Sequence, residues 1–200
     1  MDKKPINEHF FDKESKEMWY ILGVSYSRYI ISRKDNRNSW TSSSHELLEI
    51  VQTHLGATEH KIGKQDGRRE KLFQVRSEYL QSKLKKRGLG VPRKEREFPK
   101  DCDEKYLDHF IRGFFDAQVS VKEDRGNRTV SQIYFNIAFL IELHNHFVRN
   151  ASVARDSPEK SPLRYGHENT MKIHGYLYRD WNFIQEKGLY LPSKKERFKT

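Results

Sequence analysis

The residues of this chain that could do chemistry are chiefly cations, amides and hydroxyls, which bind phosphates and base edges. Along 130–137, apolar and polar residues alternate strictly, so Gln132, Tyr134 and Asn136 are predicted to share one face of a strand. Amide side chains of this kind can pair with adenine, and those of Arg and Lys with guanine. The alternative for any one of them is an ordinary solvated side chain.

Patterns for bond-breaking chemistry are missing from the sequence. His144 and His146 lie two residues apart on a predicted helix, hence on different faces, which does not suit a shared metal ion. There is no phosphate-binding glycine loop, Ser-His-Asp order or HExxH pattern. Cys102 is the only cysteine, which excludes an intramolecular disulfide and a thiolate zinc cluster. The sequence therefore offers no candidate nucleophile.

The composition favours a polyanionic partner. The 200 residues include 38 Lys and Arg against 28 Asp and Glu, a formal net charge of +10. Contacts of Lys and Arg with phosphates release counterions from nucleic acid, so this excess suits nucleic-acid binding. The N-terminus lacks the apolar core of a signal peptide, and no apolar run approaches membrane-spanning length. We expect a cytoplasmic, nucleoid-associated protein that makes no membrane contact.

Two similar segments, 18–31 and 106–121, organise the chain. Each begins with apolar residues at helical spacing and passes into strand-like alternation, and each holds one glycine, Gly23 or Gly113, in its helical part. A helical glycine costs about 1 kcal/mol relative to alanine, so it usually marks a close approach of two backbones. The pattern favours two helices that cross tightly at these glycines, and two unrelated core helices are the alternative.

The elements between these segments repeat. The predictions for the first half are a helix from Ser15 to Ser27, a hairpin over 29–44, a helix over 46–55 ended by Gly56, a hairpin pairing 61–64 with 71–76, and a helix over 77–87 ended by Gly88. Those for the second half are an Asp101–Glu104 capping box, a helix ending near Gln118, a return strand over 130–137, a helix over 139–148, and a strand over 171–174 that parallels 73–76. Strand boundaries within 150–168 are not assignable.

The ends of the two halves match without a gap. The segment 88–98 aligns with 188–198, with glycine, leucine, proline, lysine and phenylalanine recurring at an offset of one hundred. This match, together with the repeated order of elements, indicates a tandem duplication. The predicted organisation is a lead-in over 1–14, a first repeat over 15–100 and a second repeat over 101–200, which form one unit.

The second motif carries a family resemblance. Its sequence, Phe110-Ile-Arg-Gly-Phe-Phe-Asp-Ala-Gln-Val-Ser-Val121, resembles the motif of the LAGLIDADG homing endonucleases in their single-chain, two-repeat form. The segments 98–99 and 189–198 also resemble landmarks of that family. The resemblance implies an α+β fold, a pseudo-two-fold duplication of αββαββα units, in which each half supplies a curved antiparallel saddle for DNA. It also implies that Gly23 and Gly113 meet at the pseudo-dyad.

The catalytic acids implied by the resemblance are missing. In the family, each motif helix ends in a carboxylate, and the pair binds divalent metal ions for two-metal phosphodiester hydrolysis. The aligned positions here hold Arg28 and Gln118, neither of which is an anionic ligand. Asp116 aligns with an earlier acidic position of the motif, which is not the usual metal ligand. We expect no catalytic residue and no cofactor, with Mg²⁺ required only if displaced carboxylates such as Asp116 support cleavage.

These observations predict a sequence-specific binder of double-stranded DNA that has lost cleavage and has a regulatory role. One chain with two repeats would suffice, as a monomer, for a long non-palindromic site. The alternatives are a divalent-metal-dependent endonuclease, an RNA-binding maturase-like protein and a structural or protein-interaction role. Arg28 is hypothesised to approach a central phosphate, the alternative being that it reaches solvent at a helix end. The candidate DNA contacts are Arg28, Ser32, Lys34, Arg37, Trp40, Lys61, Lys64, Arg68, Gln74, Arg76, Gln118, Lys122, Arg128, Gln132, Tyr134, Asn136 and Arg155.

Overall fold

Two long helices cross at the centre of the molecule, α1 (Lys16–Arg28) and α4 (Glu104–Gln118). The computed structural model describes residues 5–32, 35–64, 67, 69–124, 128–154 and 161–198. α1 begins where predicted, because the Ser15 hydroxyl accepts a hydrogen bond from the Met18 amide at 3.1 Å. α4 begins at Glu104 with Asp103 as its cap, so the predicted capping box at Asp101 is wrong. Glu104 is the first helical residue, which leaves it too early to reach back to a cap.

The crossing point is built on the two glycines. A Cβ atom on Gly23 would overlap the carbonyl oxygen of Phe110 and lie 2.8 Å from the amide nitrogen of Phe114. A Cβ atom on Gly113 would overlap the carbonyl oxygen of Tyr20 in the same way. The contacts are reciprocal, since Tyr20 and Phe110, like the two glycines, are ninety residues apart. The predicted close approach of the two helices is confirmed.

The first half follows the predicted order of elements. After α1 come β1 (Tyr29–Ile31), β2 (Arg37–Ser42), α2 (His45–His54), β3 (Ile62–Lys64), β4 (Lys71–Arg76) and α3 (Glu78–Leu84). The strands form one antiparallel sheet in the order β1-β2-β4-β3. A π-helical turn, Lys85–Leu89, follows α3, and Gly88 within it has a φ of 88°. That left-handed backbone explains why glycine ends this helix.

The second half repeats most of this order. After α4 come β5 (Ser120–Asp124), β6 (Arg128–Ile133), α5 (Ile137–Asn150), β7 (Leu163–Tyr165), α6 (His167–Leu177), α7 (Trp181–Glu186) and α8 (Pro192–Lys195). The second sheet is antiparallel, in the order β5-β6-β7. Among the described residues it has one strand fewer than the first, which modifies the predicted αββαββα unit. β7 pairs with β6 as β4 pairs with β2, so β7 is the counterpart of β4.

The segment 171–174 is helical, and its prediction as a strand is wrong. It lies inside α6, where Thr170, Ile173 and Leu177 are buried. Their spacing of three and four residues places them on one face of a helix that packs against the core. Four residues are too few to distinguish this period from a strand's alternation. Among the described residues, no helix is both long and apolar enough to cross a bilayer.

Candidate nucleic-acid interface

The strand register assigns a face of the first sheet to each residue. Residues directly opposite each other in an antiparallel pair share a face. Tyr29 lies opposite Trp40, and Trp40 opposite Phe73, and all three are buried in the core against the helices. The Trp40 indole donates a hydrogen bond to the Ser25 hydroxyl at 2.9 Å. Trp40 is therefore a core residue, and its prediction as a DNA contact is wrong.

The other side of this sheet points away from the core. We call it the first open face, and it comprises Ile30, Arg37, Ser39, Thr41, Leu72, Gln74 and Arg76, of which Ser39 and Thr41 are buried. The register places Arg37 opposite Arg76 and Ser39 opposite Gln74. The Gln74 amide donates to the Ser39 hydroxyl at 2.9 Å. Three of the predicted contacts, Arg37, Gln74 and Arg76, thus lie together on one surface.

The second sheet has an equivalent surface. Val121, Ser131 and Tyr165 are buried on its core side. The second open face comprises Ser120, Lys122, Asp124, Arg128, Val130, Gln132 and Arg164. It includes the predicted contacts Lys122, Arg128 and Gln132, so three candidates from each half share an open face.

Arg164 is an open-face cation that the sequence analysis missed. It is exposed and lies opposite Gln132, in the position that Gln74 holds opposite Ser39 in the first sheet. The signal in the sequence is the alternation Leu163-Arg-Tyr165, in which two apolar residues flank one cation. Three residues give a single period, which the polar segment around them obscures.

Asn136 caps a helix instead of facing outward from a strand. β6 ends at Ile133, and the Asn136 side chain accepts a hydrogen bond from the Phe139 amide at 2.9 Å as the N-cap of α5. Its amide group also donates to the Arg96 carbonyl at 2.8 Å. Tyr134 lies just beyond the strand with 52% of its surface exposed, and its hydroxyl accepts a hydrogen bond from Gln132 at 2.7 Å. Gln132 and Tyr134 thus contact each other as neighbours, whereas the prediction that Asn136 shares their strand face is wrong.

The remaining sheet candidates lie at its margins. The Ser32 hydroxyl donates to Asp35 at 2.5 Å within the turn after β1. Lys61 and Lys64 are exposed at the two ends of β3, but Lys64 lies opposite Lys71, on the side of the sheet that carries Phe73. Lys64 is therefore not an open-face residue. The candidates Lys34, Arg68 and Arg155 lie outside the described residues.

Arg28, at the C-terminal end of α1, ties the two central helices together. Its Nε and Nη2 atoms donate to the Ala117 carbonyl of α4 at 2.9 and 2.5 Å. Its Nη1 atom lies 3.6 Å from a carboxylate oxygen of Glu70. Burial and the nearby charge of Arg93 lower the pKa of Arg28, while Glu70 opposes that shift. The reading in which Arg28 merely reaches solvent is wrong, because its guanidinium is engaged across the helix pair.

Gln118, the aligned position on α4, makes hydrogen bonds through both its amide oxygen and its amide nitrogen. Its oxygen accepts hydrogen bonds from the Ser27 hydroxyl at 2.6 Å and from Arg93 Nη2 at 2.7 Å. Its nitrogen donates to the Tyr134 carbonyl at 2.5 Å. A carboxylate at this position could accept the first two hydrogen bonds, but it could not donate the third to the Tyr134 carbonyl. The contact of Arg93 with Gln118 was not predicted, because the two residues are distant in the sequence and no local pattern links them.

Two further cations neutralise the carbonyl ends of the central helices. Arg96 donates to the Ser25 and Tyr26 carbonyls of α1 at 3.2 and 2.6 Å. It is 3% exposed, and burial lowers its pKa to about 10. Arg96 thus gives the Tyr26 carbonyl a donor and adds a second donor to the Ser25 carbonyl, which also accepts from the Tyr29 amide. Its charge opposes the negative end of the helix dipole.

Lys194 does the same for α4. Its Nζ atom donates to the Phe115 and Asp116 carbonyls at 2.8 and 2.5 Å, ninety residues on from the carbonyls that Arg96 binds. Burial lowers the pKa of Lys194 to about 7, an effect that the nearby carboxylate of Asp116 opposes and Arg28 strengthens. A buried nitrogen donor therefore caps the carbonyl end of each central helix.

Asp116 is an internal carboxylate. It is 2% exposed and accepts hydrogen bonds from the hydroxyls of Tyr20 at 2.9 Å and Tyr178 at 2.5 Å, and from the Leu191 amide at 3.1 Å. Burial raises its pKa. Three donors surround it, so its role here is structural. Among the residues that the structure describes, no group of three His, Cys, Asp or Glu side chains could hold a metal ion.

The two histidines of α5 have separate partners. His144 Nδ1 lies 3.0 Å from the Tyr165 hydroxyl, and His146 Nε2 lies 2.8 Å from the Tyr176 hydroxyl. Both are buried. Each ring therefore contacts a different tyrosine.

No protein-family model matches the sequence, and no curated protein matches it. Solved structures do match. The I-SmaMI meganuclease bound to uncleaveable DNA has a TM-score of 0.54 at 14% identity, over 93% of this chain and 87% of that chain. The I-SmaMI LAGLIDADG homing endonuclease bound to cleaved DNA has a TM-score of 0.53 with the same identity and coverage.

A second nuclease gives the same result. The LAGLIDADG meganuclease I-CpaMI bound to uncleaved DNA has a TM-score of 0.51 at 12% identity, over 92% of this chain and 96% of that chain. Likenesses at this level of identity establish the fold. The structural neighbours of this chain are LAGLIDADG homing endonucleases, and the chain has their single-chain, two-sheet α+β fold.

Proposed function

We propose that this protein binds a specific site on double-stranded DNA without cutting it. The observation that carries the proposal is the composition of the two open faces. Each presents amides and cations at positions set by the strand register, such as Gln74 and Arg76 in one half and Gln132 and Arg164 in the other. These side-chain types read base edges in the major groove, and the net charge of +10 suits the phosphates around them.

The helix ends support a binder without nuclease activity. Where a metal centre needs two carboxylates, this chain has a guanidinium and an amide, both held by protein partners. Asp116, the acid nearest in sequence, is buried with three donors around it. A hard divalent cation would require oxygen anions at this place.

We further propose that the protein binds as a monomer and has a regulatory role, and the asymmetry of the faces supports binding by one chain. The residues on the first open face differ in kind from those on the second, with Gln74 where the second has Arg164. One chain therefore presents two unlike half-surfaces, which suit a non-palindromic site. A protein that occupies such a site without cleaving it can regulate transcription.

The test is selection of bound duplexes from a randomised pool, run in parallel with Mg²⁺ and with EDTA. We expect one long site to be enriched equally in both buffers and to remain uncut. Cut ends that appear only with Mg²⁺ would establish an endonuclease, and no enrichment would direct the search to RNA through competition with duplex.

Point variants then test the open faces. Gln132→Ala and Arg164→Ala should each cost about 1–3 kcal/mol of binding and relax the preference at a few base pairs. Arg149→Ala is the matched control, because it removes an exposed cation from the last turn of α5 instead of an open face. Equal effects of Arg149→Ala and Arg164→Ala would contradict base readout by the second sheet.

A further inference from the structure

A pocket at the C-terminal end of α1 has an excess of positive charge. It has a volume of about 430 Å³, and Arg28, Arg93, Arg96 and Glu70 are among its lining residues. Arg96 is committed to the carbonyls of α1. The groups left to meet a ligand are thus two guanidiniums and one carboxylate.

Both guanidiniums are oriented but not saturated. Arg28 uses Nε and Nη2 on the Ala117 carbonyl, and Arg93 uses Nη2 on the Gln118 oxygen at 2.7 Å. An arginine has five N–H donors. Within the described part of the chain, Nη1 of Arg28 and Nε and Nη1 of Arg93 have no hydrogen-bond acceptor. Donors that are held in place without an acceptor suit an incoming anion.

Glu70 is a loose counter-ion for this pair. Its oxygen lies 3.6 Å from Arg28 Nη1, beyond the 2.7–3.2 Å range of N–H···O hydrogen bonds, and its side chain is 39% exposed. The pKa of Arg28 is lowered despite Glu70, which means that one distant carboxylate does not compensate the burial and the charge of Arg93.

The pocket also adjoins both open faces. Ile30 and Thr41 of the first open face line it. On the other side, Arg93 Nη2 lies 3.4 Å from the carbonyl of Tyr134, whose hydroxyl contacts Gln132 of the second open face. A duplex that spans the two faces would pass over this pocket.

We propose that the pocket binds one phosphodiester of the DNA backbone between Arg28 and Arg93, and that Glu70 occupies this place as a competing carboxylate when DNA is absent. This inference rests on the proposed function, because the phosphate is supplied by bound duplex. The remaining N–H groups of the two guanidiniums can each donate to a different phosphate oxygen, so the bound phosphate fixes the register of the duplex without reading its sequence.

The first test uses duplex binding as a function of salt. Arg93→Ala should weaken binding about tenfold on every sequence and reduce the salt slope by about 1. Glu70→Gln should tighten binding about three- to tenfold at low salt, because it removes the competing charge. Arg28→Ala should also weaken binding, but it removes a tie between the central helices, so Arg93→Ala and Glu70→Gln carry the test.

The matched control is Lys105→Ala. Lys105 is an exposed cation in the first turn of α4, about 20 Å along the helix from Gln118. Lys105→Ala removes the same charge from the end of α4 that is remote from Gln118, and Lys105 does not line the pocket. A loss equal to that of Arg93→Ala would overturn the pocket, since it would show an effect of net charge alone.

The second test does not use DNA. Pyrophosphate is titrated into the full chain while the Nε–H signals of the arginines are followed by NMR. We expect the signals of Arg28 and Arg93 to shift together, and to shift at lower pyrophosphate concentrations in Glu70→Gln. Unshifted signals would overturn the anion site.

The two tests separate the two proposals. Specific duplex binding that is unaffected by Arg93→Ala and Glu70→Gln overturns the pocket and leaves the proposed function standing. Pyrophosphate shifts at both arginines without any duplex binding support the anion site and overturn DNA as the source of its phosphate.

Discussion

Replacing Gly23 by alanine is expected to destabilise the protein by forcing the two central helices apart. The new Cβ atom would overlap the Phe110 carbonyl oxygen and lie 2.8 Å from the Phe114 nitrogen. Both are main-chain atoms of α4, so no side-chain rotation can relieve the overlap. The helices, each of which is buried in the core over most of its length, must move instead.

The size of the effect follows from these distances. Ordinary contact of a Cβ atom begins at 3.4 Å, so α4 must recede by 0.6 Å at Phe114 and by more at Phe110. Overpacking costs about 1–3 kcal/mol and occasionally more, while the better helix propensity of alanine returns about 1 kcal/mol. Because main chain meets main chain here, we take the cost at its upper end, about 3 kcal/mol, and expect a net loss of about 2 kcal/mol. For 200 residues this lowers Tm by about 4–8 °C.

The assay is urea unfolding followed by circular dichroism. Gly175→Ala is the control, because Gly175 lies in α6 and a Cβ atom there would meet nothing within 4 Å. It should stabilise the protein by about 0.5–1 kcal/mol. Gly113→Ala should resemble Gly23→Ala, and the double variant should lose less than the sum, since one separation relieves both overlaps. Stabilisation by Gly23→Ala, as expected for the control, would refute the close crossing.

Three other predictions concern buried polar groups. Asp116→Ala leaves three buried donors without an acceptor and should lower the free energy of unfolding in urea by about 3–5 kcal/mol. Asp116→Asn retains one acceptor and should lower it clearly less. Arg96→Ala removes buried donors from the carbonyls of Ser25, Tyr26 and Tyr29 and should cost about 2–4 kcal/mol by the same measurement, and a neutral result would contradict its capping role. Burial lowers the pKa of His109 from 6.5 to about 3 and that of His146 to about 4, so their contribution to stability is full above pH 6.5 and is lost as the pH falls toward these values. Unfolding of wild type and His146→Gln at pH 7 and pH 5 should show that the variant loses about 1–2 kcal/mol less over this interval, and identical losses would refute the assignment.

The order of elements and the helix crossing could be predicted because their signals are local and strong. A glycine amid buried helical residues, as at Gly23, has few explanations other than a neighbouring backbone. Similarly, Ser15 marks the start of α1 because its hydroxyl accepts the capping hydrogen bond from the Met18 amide. Each signal involves only a few consecutive residues, so no knowledge of the tertiary partner was needed.

The wrong or missing predictions concern residues whose role depends on a contact with a residue that is distant in the sequence. Asn136 continues the alternation of β6 because a helix cap has extended backbone, here with φ −68° and ψ 149°, which a strand residue also adopts. Trp40 lies on a strand of otherwise polar residues, and only its pairing with Phe73 shows that it faces the core. Arg93 reaches Gln118 across the interface between the repeats, which no sequence pattern within either repeat encodes.

The cations at the helix ends show what divergence preserved between the two copies. The carbonyls that they bind are equivalent, but the donors are not: Lys194 aligns with Lys94, which is exposed, and Arg96 aligns with Glu196. A nitrogen donor thus lies at equivalent points of the two copies, although it comes from different positions of the repeated sequence. A relative of this chain should be compared through the position of its nitrogen donors in space, because an alignment pairs Lys194 with the exposed Lys94 and Arg96 with Glu196.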